Sequence, residues 1–213
     1  MSTLKDLEQL FLQGKMSRRE FLSRAAALGL SAAIVPSLWV APARAATPKQ
    51  GGRLRLGLAG GATTDSMDPA TITDMMMQVI NQGQIRNTLV EIDHANNPIP
   101  ELAESWEATP DAKQWVFKLR KGVEFHNGKT MDAADVVYSI NHHRGENTKS
   151  AAKGIVEPIA DIKADGKETV VFTLTGGNAD FPYILSDYHL TISPAGSNFL
   201  DGMGTGGYIL KDY

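Results

Sequence analysis

The chain has 213 residues, of which 42% are hydrophobic and 21% charged, an ordinary globular composition long enough to bury a core. A formal charge of −3 lacks the basic excess that nucleic-acid binding needs, so no nucleic acid is expected as a partner. The absence of cysteine excludes disulfides, a thiolate nucleophile, thiolate metal sites and a lipid-modified cysteine anchor.

The charge is unevenly spread. Residues 1–45 carry six basic and three acidic side chains, which leaves 15 basic against 21 acidic in the remainder. From Ala25 to Ala43 runs "AAALGLSAAIVPSLWVAPA", 19 residues without a charge. It ends in "APARA", where Ala43 and Ala45 form the small-x-small pattern that a signal peptidase requires. Just before it stands "SRREFL". Ser17, the pair Arg18 and Arg19, Phe21 and Leu22 resemble the twin-arginine export motif. Two adjacent guanidiniums offer a permanently charged fork that a receptor carboxylate can read. The expectation is a signal peptide over 1–45, cleaved after Ala45, and a body over 46–213 in the periplasm. The competing readings are a membrane anchor, since 19 residues just span a bilayer, and a buried apolar helix.

In the body, "GGRLRLGLAGG" alternates Leu54, Leu56 and Leu58 with Arg53, Arg55 and Gly57, which predicts a strand. The glycines lack the spacing and lysine of a phosphate loop. Asp68-Pro69 marks a turn. From Thr73 the residues Met76, Met77, Ile80 and Ile85 fall near helical spacing, with Thr73 or Asp74 as N-cap. The Met run is expected to be core, with Met75 as the exception. "NNPIPELAESW" reads as a Pro-rich surface connection. "QWVFKLRKGVEF" predicts a strand burying Trp115, Phe117 and Leu119, followed by a turn at Asn127-Gly128.

A helix is predicted from Thr130, with Ala133, Val136, Val137 and Ile140 as its stripe. His142, His143 and Arg144 end it, where positive charge suits the helix dipole. "IVEPIADIKADGKETVVFTL" predicts a strand, a turn at Asp165-Gly166 and a second strand. "NADFPYILSDY" predicts a short helix, "HLTISP" a short strand, and "GTGGYILKDY" a Gly-rich turn with a strand start. The irregular interleaving gives an α/β class with a mixed sheet.

Several of these segments, in this order, resemble one family: "GGRLRLGL", "DSMDPA", "IRNTLVEID", the long run from "PIPELAESW" to "DVVYSI", "ETVVFTL" and "GTGGYILKDY". The family is the periplasmic substrate-binding proteins of ABC transporters, family 5, which carry peptides, dipeptides or nickel. The resemblance implies a type II periplasmic binding protein with two lobes, of which 46–213 would be the first, with the second absent. It implies capture of a peptide or similar small solute in a cleft, and delivery to permease and ATPase subunits. It implies no cofactor and no catalytic residue. Export would engage the twin-arginine translocase and signal peptidase. Carried over onto this chain, the first-lobe contacts are Thr73, Asp74 and Met75 after the Asp-Pro turn, and the loop at Ala151 and Ala152 after the "DVVYSI" helix. Thr73 would use its hydroxyl and backbone, Asp74 would meet a ligand amine, and Met75 would give apolar contact. The two alanines imply open space.

Three other readings stand beside this one. A nickel or metal-chelate carrier would need converging histidines, but His94, His126, His142, His143 and His189 are scattered, and adjacent helical residues diverge by about 100°. A secreted hydrolase would need a triad, and Ser186, Asp187 and His189 are too close in sequence to converge on one substrate atom. A chaperone-like periplasmic protein is the third.

Overall fold

The computed structural model describes residues 4–13, 15–27 and 51–212. They fall into two compact units that divide between Arg55 and Leu56. The uncharged stretch from residue 28 and the expected cleavage residues Ala43 and Ala45 lie outside the described residues. Among the described residues, no helix is long and apolar enough to cross a membrane.

The first unit is a pair of helices, α1 (Leu4–Leu12) and α2 (Arg18–Ala27). Leu7 and Phe11 lie one turn apart on α1 and meet Met16 and Phe21. Leu7, Met16 and Phe21 are buried, and the rings of Phe11 and Phe21 are 5.0 Å apart. Ser17 starts α2 by accepting the Glu20 N–H on its Oγ at 3.3 Å, and Arg24 pairs with Glu20 one turn earlier at 2.8 Å.

The second unit is built on a four-stranded antiparallel sheet in the order β3-β4-β6-β5: β3 (Ala103–Ala108), β4 (Gln114–Leu119), β5 (Ile159–Ala164) and β6 (Thr169–Leu174). Period-2 alternation puts Trp115, Phe117 and Leu119 of β4 on the buried face, beside Val170, Phe172 and Leu174 of β6. Phe117 packs edge-on against Phe172 at 5.5 Å and against Phe181 at 6.2 Å. Truncating such a ring typically costs about 3–5 kcal/mol. Phe181 comes from α6 (Phe181–Ile184), the short helix expected there.

Helix α4 (Ala133–Asn141) packs against β5 and β6 and buries Ala133, Val136 and Ile140. Its start is a capping box. The Asp132 carboxylate accepts from Ala134 and Asp135, and the Asp135 carboxylate accepts the Asp132 N–H at 2.9 Å. Asp135 is itself buried, and Lys129 pairs with it. The turns at Asn127-Gly128 and Asp165-Gly166 form as expected, with positive φ at both glycines. A short helix, α5 (Lys153–Val156), leads into β5.

Four segments differ from the sequence expectation. Residues 53–58 form no strand among the described residues, and Leu54 and Leu56 are 64% and 54% exposed. Alternation marks a strand only when a partner edge completes its ladder. The "NNPIPELAESW" stretch is no mere connection: it supplies β2 (Pro98–Pro100), which forms a hairpin with β1 (Val90–Ile92), and then the start of β3. Prolines 98 and 100 are tolerated because β2 is an edge strand, and Asn96, at φ 63°, makes the turn. Residues 190–194 are buried without a ladder: the Asn87 carbonyl accepts the Ile192 N–H at 2.9 Å, and Ser139 Oγ accepts the Ser193 N–H at 2.9 Å and donates to its carbonyl at 3.1 Å. The strand start expected after the Gly-rich turn in "GTGGYILKDY" likewise does not form among the described residues, and the "GTGGY" part is held in another way. It lies against residues 84–86, with Gly206 N–H to the Ile85 carbonyl at 2.8 Å and Tyr208 N–H to that of Gln84 at 2.9 Å. Glycine is required there, since a β-carbon on Gly204 or Gly206 would overlap the backbone of Gln84 and Ile85.

Candidate functional site

Helix α3 (Met75–Asn81) is shorter than the apolar spacing suggests, and Ile85 lies beyond its end. Asp74 is its N-cap, with Oδ1 accepting the Met77 N–H at 3.1 Å. That bond, more than any other influence, holds the Asp74 carboxyl below its usual range. Met77 is buried, Met76 half-buried and Met75 63% exposed, which separates the Met run into core and surface as the sequence predicted. Thr73 is exposed beside it.

The segment leading to α3 is clamped by four elements from elsewhere in the chain. Arg86 donates to the carbonyl of Met67 at 2.9 Å. The His142 ring bonds the Asp68 carboxylate at 2.7 Å. Ala151 N–H donates to the Ala70 carbonyl at 2.9 Å, and His189 Nε2 donates to that of Ile72 at 2.9 Å. Asp68 also caps the 3-10 turn Pro69–Thr71 through the Ala70 N–H. With Met67, Ala70 and Ile72 buried on the inner side, Thr71, Thr73 and Met75 are left facing outward. The bond between Ala151 and Ala70 ties the loop at Ala151 to the turn three residues before Thr73. Ala151 is exposed. Ala152 departs from the expected open space: it is fully buried in the main core, and its N–H is taken by Ser150 Oγ at 3.0 Å.

Each clamp is supported in turn. Arg86 is fully buried and donates to the carbonyls of Met203 and Phe199 at 3.0 Å each, and to Asn81 Oδ1 at 2.6 Å. Burial lowers its pKa to about 10, so it remains a cation at neutral pH. The His142 ring stacks on Phe199 at 3.9 Å, and Phe199 stacks on Tyr138 at 5.1 Å. These three residues line one end of a largely apolar groove of about 750 Å³ between α4 and β5. The Asp187 carboxylate accepts from His189 Nδ1 at 2.6 Å. Burial pulls Asp187 upward, yet its bonds from His189 win and its carboxyl sits below the ordinary range. Asp68 follows the same logic, with His142 as the opposing donor.

His143 corrects the expectation of a cation at the end of α4. It is buried, and burial first, then His142 and His189, lower its pKa to about 4, so the ring is neutral and bonded to Ser150 Oγ at 2.7 Å. His126 holds the departing chain, its Nε2 donating to the Gly206 carbonyl at 2.9 Å. Ser186, Asp187 and His189 form no triad. The Ser186 hydroxyl donates to the Tyr183 carbonyl at 2.8 Å, while both nitrogens of His189 face Asp187 and Ile72. Among the described residues no group of three His, Asp or Glu side chains is placed to hold a metal ion.

Sequence reasoning missed Arg86, His142 and His189 as organisers of this edge. The one available signal was an arginine inside the apolar run "IRNTLV", where an unpaired charge would not be tolerated.

The family model for bacterial extracellular solute-binding proteins, family 5 Middle, matches residues 97–213. The chain is 29% identical to the dipeptide-binding protein of Escherichia coli, over 78% of this chain and 40% of that protein. It is 29% identical to a probable peptide ABC transporter periplasmic-binding protein of Sinorhizobium fredii, over 80% of this chain and 30% of the relative. Among solved structures it resembles the ABC transporter-associated periplasmic binding protein DppA of Helicobacter pylori in complex with a peptide, with TM-score 0.60, 28% identity, and coverage of 70% of this chain and 35% of that one. It also resembles the binding protein AgaA of A. tumefaciens in complex with agropinic acid, with TM-score 0.64, 25% identity, and coverage of 70% and 31%. The chain therefore spans well under half the length of these relatives, and it belongs to the bacterial extracellular solute-binding proteins of family 5.

Proposed function

We propose that this chain is part of the extracytoplasmic substrate-binding component of an ABC importer, which captures peptides or a similar small solute and delivers it to permease and ATPase subunits. The observation that carries this reading is the family match over residues 97–213. The clamped edge supports it: a rigid segment presenting Thr73 and Met75 outward can meet a ligand without reordering, which spares conformational entropy on binding. In this reading Thr73 supplies a hydroxyl and Met75 an adaptable apolar contact. Asp74 combines its capping role with attraction for a ligand amine, and the loop at Ala151 and Ala152 meets the ligand through the exposed Ala151, since Ala152 is buried. Residues 46–213 act as the first lobe.

The protein is no enzyme in this reading, and it works in the periplasm. Residues 1–45 direct export by the twin-arginine route, with Ser17, Arg18, Arg19, Phe21 and Leu22 as the recognised motif and cleavage between Ala45 and Ala46. Calorimetric titration of the purified two-lobed binding component, in which residues 46–213 are the first lobe, with dipeptides, longer peptides, an opine such as agropinic acid, and a nickel–histidine chelate tests the binding function; residues 46–213 alone are expected to bind poorly. Saturable binding of one class, with the ligand recovered unchanged, is expected. Hydrolysis of the peptide, or no binding of any class, would overturn it. Export of an Arg18→Lys/Arg19→Lys double variant tests the route, and unimpaired export would overturn that part alone.

A further inference from the structure

The helical pair at the amino terminus holds one residue of the export motif in an unexpected place. Phe21 stands between the exposed Arg19 and Glu20 on one side and Ser23 and Arg24 on the other, yet it is 6% exposed. It is buried by α1, whose Leu7 is 1% exposed and whose Phe11 ring lies 5.0 Å from that of Phe21. Met16, in the turn between the helices, closes the same cluster. A helix of ten residues is marginal by itself in water, so packing against α1 is what keeps α2 folded. Arg19 lies about 160° around α2 from Phe21 and is exposed, while Arg24 is engaged by Glu20.

From this geometry we propose that α1 is a working part of the export signal. The receptor meets the motif as a preformed helical hairpin, with Arg19 outward and Phe21 turned inward onto Leu7 and Phe11, and the partner is an acidic receptor surface that complements the exposed Arg19. This rests on the export reading above. Phe21 is then a positioning residue, acting through the helix it anchors. The arginine pair gains affinity because its helix is formed before contact, and no ordering cost is incurred on binding.

The test uses the full chain. Because it contains no cysteine, a Phe11→Cys/Phe21→Cys variant carries only the two introduced thiols. Its transport into inverted membrane vesicles bearing the twin-arginine translocase is measured reduced and oxidised. The expected result is a loss of roughly tenfold in the reduced form, which has lost the packing, and recovery in the oxidised form, with transport scored only on the fraction in which the two introduced thiols are bonded and so hold α1 against α2. Transport of the reduced but not the oxidised form would show that the hairpin must open. Equal transport of both would show that it is irrelevant, and failure of both that the Phe21 ring is itself read. Each of these three overturns the proposal.

Leu7→Asp, outside the motif, provides an independent arm. Export is expected to fall roughly tenfold, whereas Leu7→Ile retains it, and unchanged export of Leu7→Asp would sink the idea. Failure of the export reading is told apart by the Arg18→Lys/Arg19→Lys variant. The yield of the disulfide in the purified precursor reports the hairpin whatever the route.

Discussion

His189 donates from Nε2 to the carbonyl oxygen of Ile72 at 2.9 Å, fixing the backbone one residue before the exposed Thr73. Replacing His189 with Leu leaves that carbonyl without its donor and takes the ring's bond from Asp187, whose carboxylate keeps only the backbone N–H of residue 189 at 3.0 Å. The expected cost is roughly 2–3 kcal/mol, since buried acceptors lose their bonds. Hydrogen exchange should localise the loosening to residues 67–75, and the midpoint of urea unfolding measures its size.

Asp74 allows charge and capping to be separated. Asn is as good an N-cap as Asp, so Asp74→Asn should keep the melting temperature within about 2 °C of the parent. If the carboxylate meets a ligand amine, peptide affinity falls about tenfold, the effect of one modest electrostatic contact. Calorimetric titration alongside thermal melting gives both readings on one sample.

Stability should depend on pH through His143. Its pKa drops from 6.5 in the unfolded chain to about 4 in the fold, so the unfolded state binds more protons between those values. The stabilisation is therefore complete above about pH 6.5 and is lost as pH falls toward about 4. A shift of this size corresponds to about 3 kcal/mol. Asp68 and Asp187, held below the carboxylate norm, add losses only at more acid pH. Thermal melts from pH 8 to 4 should show the decline, and His143→Asn should flatten it.

Gly206 has no room for a side chain, because a β-carbon would overlap the Gln84 carbonyl. Gly206→Ala is expected to destabilise by roughly 3 kcal/mol or more, the range of forced overpacking with backbone displacement. Gly207, with open space around it, should accept Ala at little cost. The pair of urea midpoints decides this.

Much of the fold was legible in the sequence wherever a local pattern met its structural partner. The alternation of Trp115, Phe117 and Leu119 and the Asp132 cap each describe a local geometry that the core then completes. Residues 53–58 carry an equally clear alternation and form no strand, because a ladder depends on a second segment that periodicity does not reveal. The segment 190–194 shows the reverse: it is deeply buried without a ladder, its backbone shared out between the Asn87 carbonyl, which takes the Ile192 N–H, and the Ser139 hydroxyl, 54 residues away, which takes both backbone groups of Ser193. At the site, the exposed Met75 and the buried Met77 followed from helical spacing. The clamps did not, since Arg86, His142 and His189 act on carbonyls and a carboxylate that only the tertiary fold brings within reach.

Arg86 bears on the order in which the protein can assemble. Its guanidinium draws on Met67, Asn81, Phe199 and Met203, which span most of the second unit. A cation is tolerated in that interior only once its acceptors are in place. As the chain emerges from the ribosome, Arg86 must therefore stay hydrated until residue 203 has been made. The edge that Met67 and Asp68 anchor then closes late, in one cooperative event, and its assembly is bounded by the loop-closure cost of contacts more than a hundred residues apart.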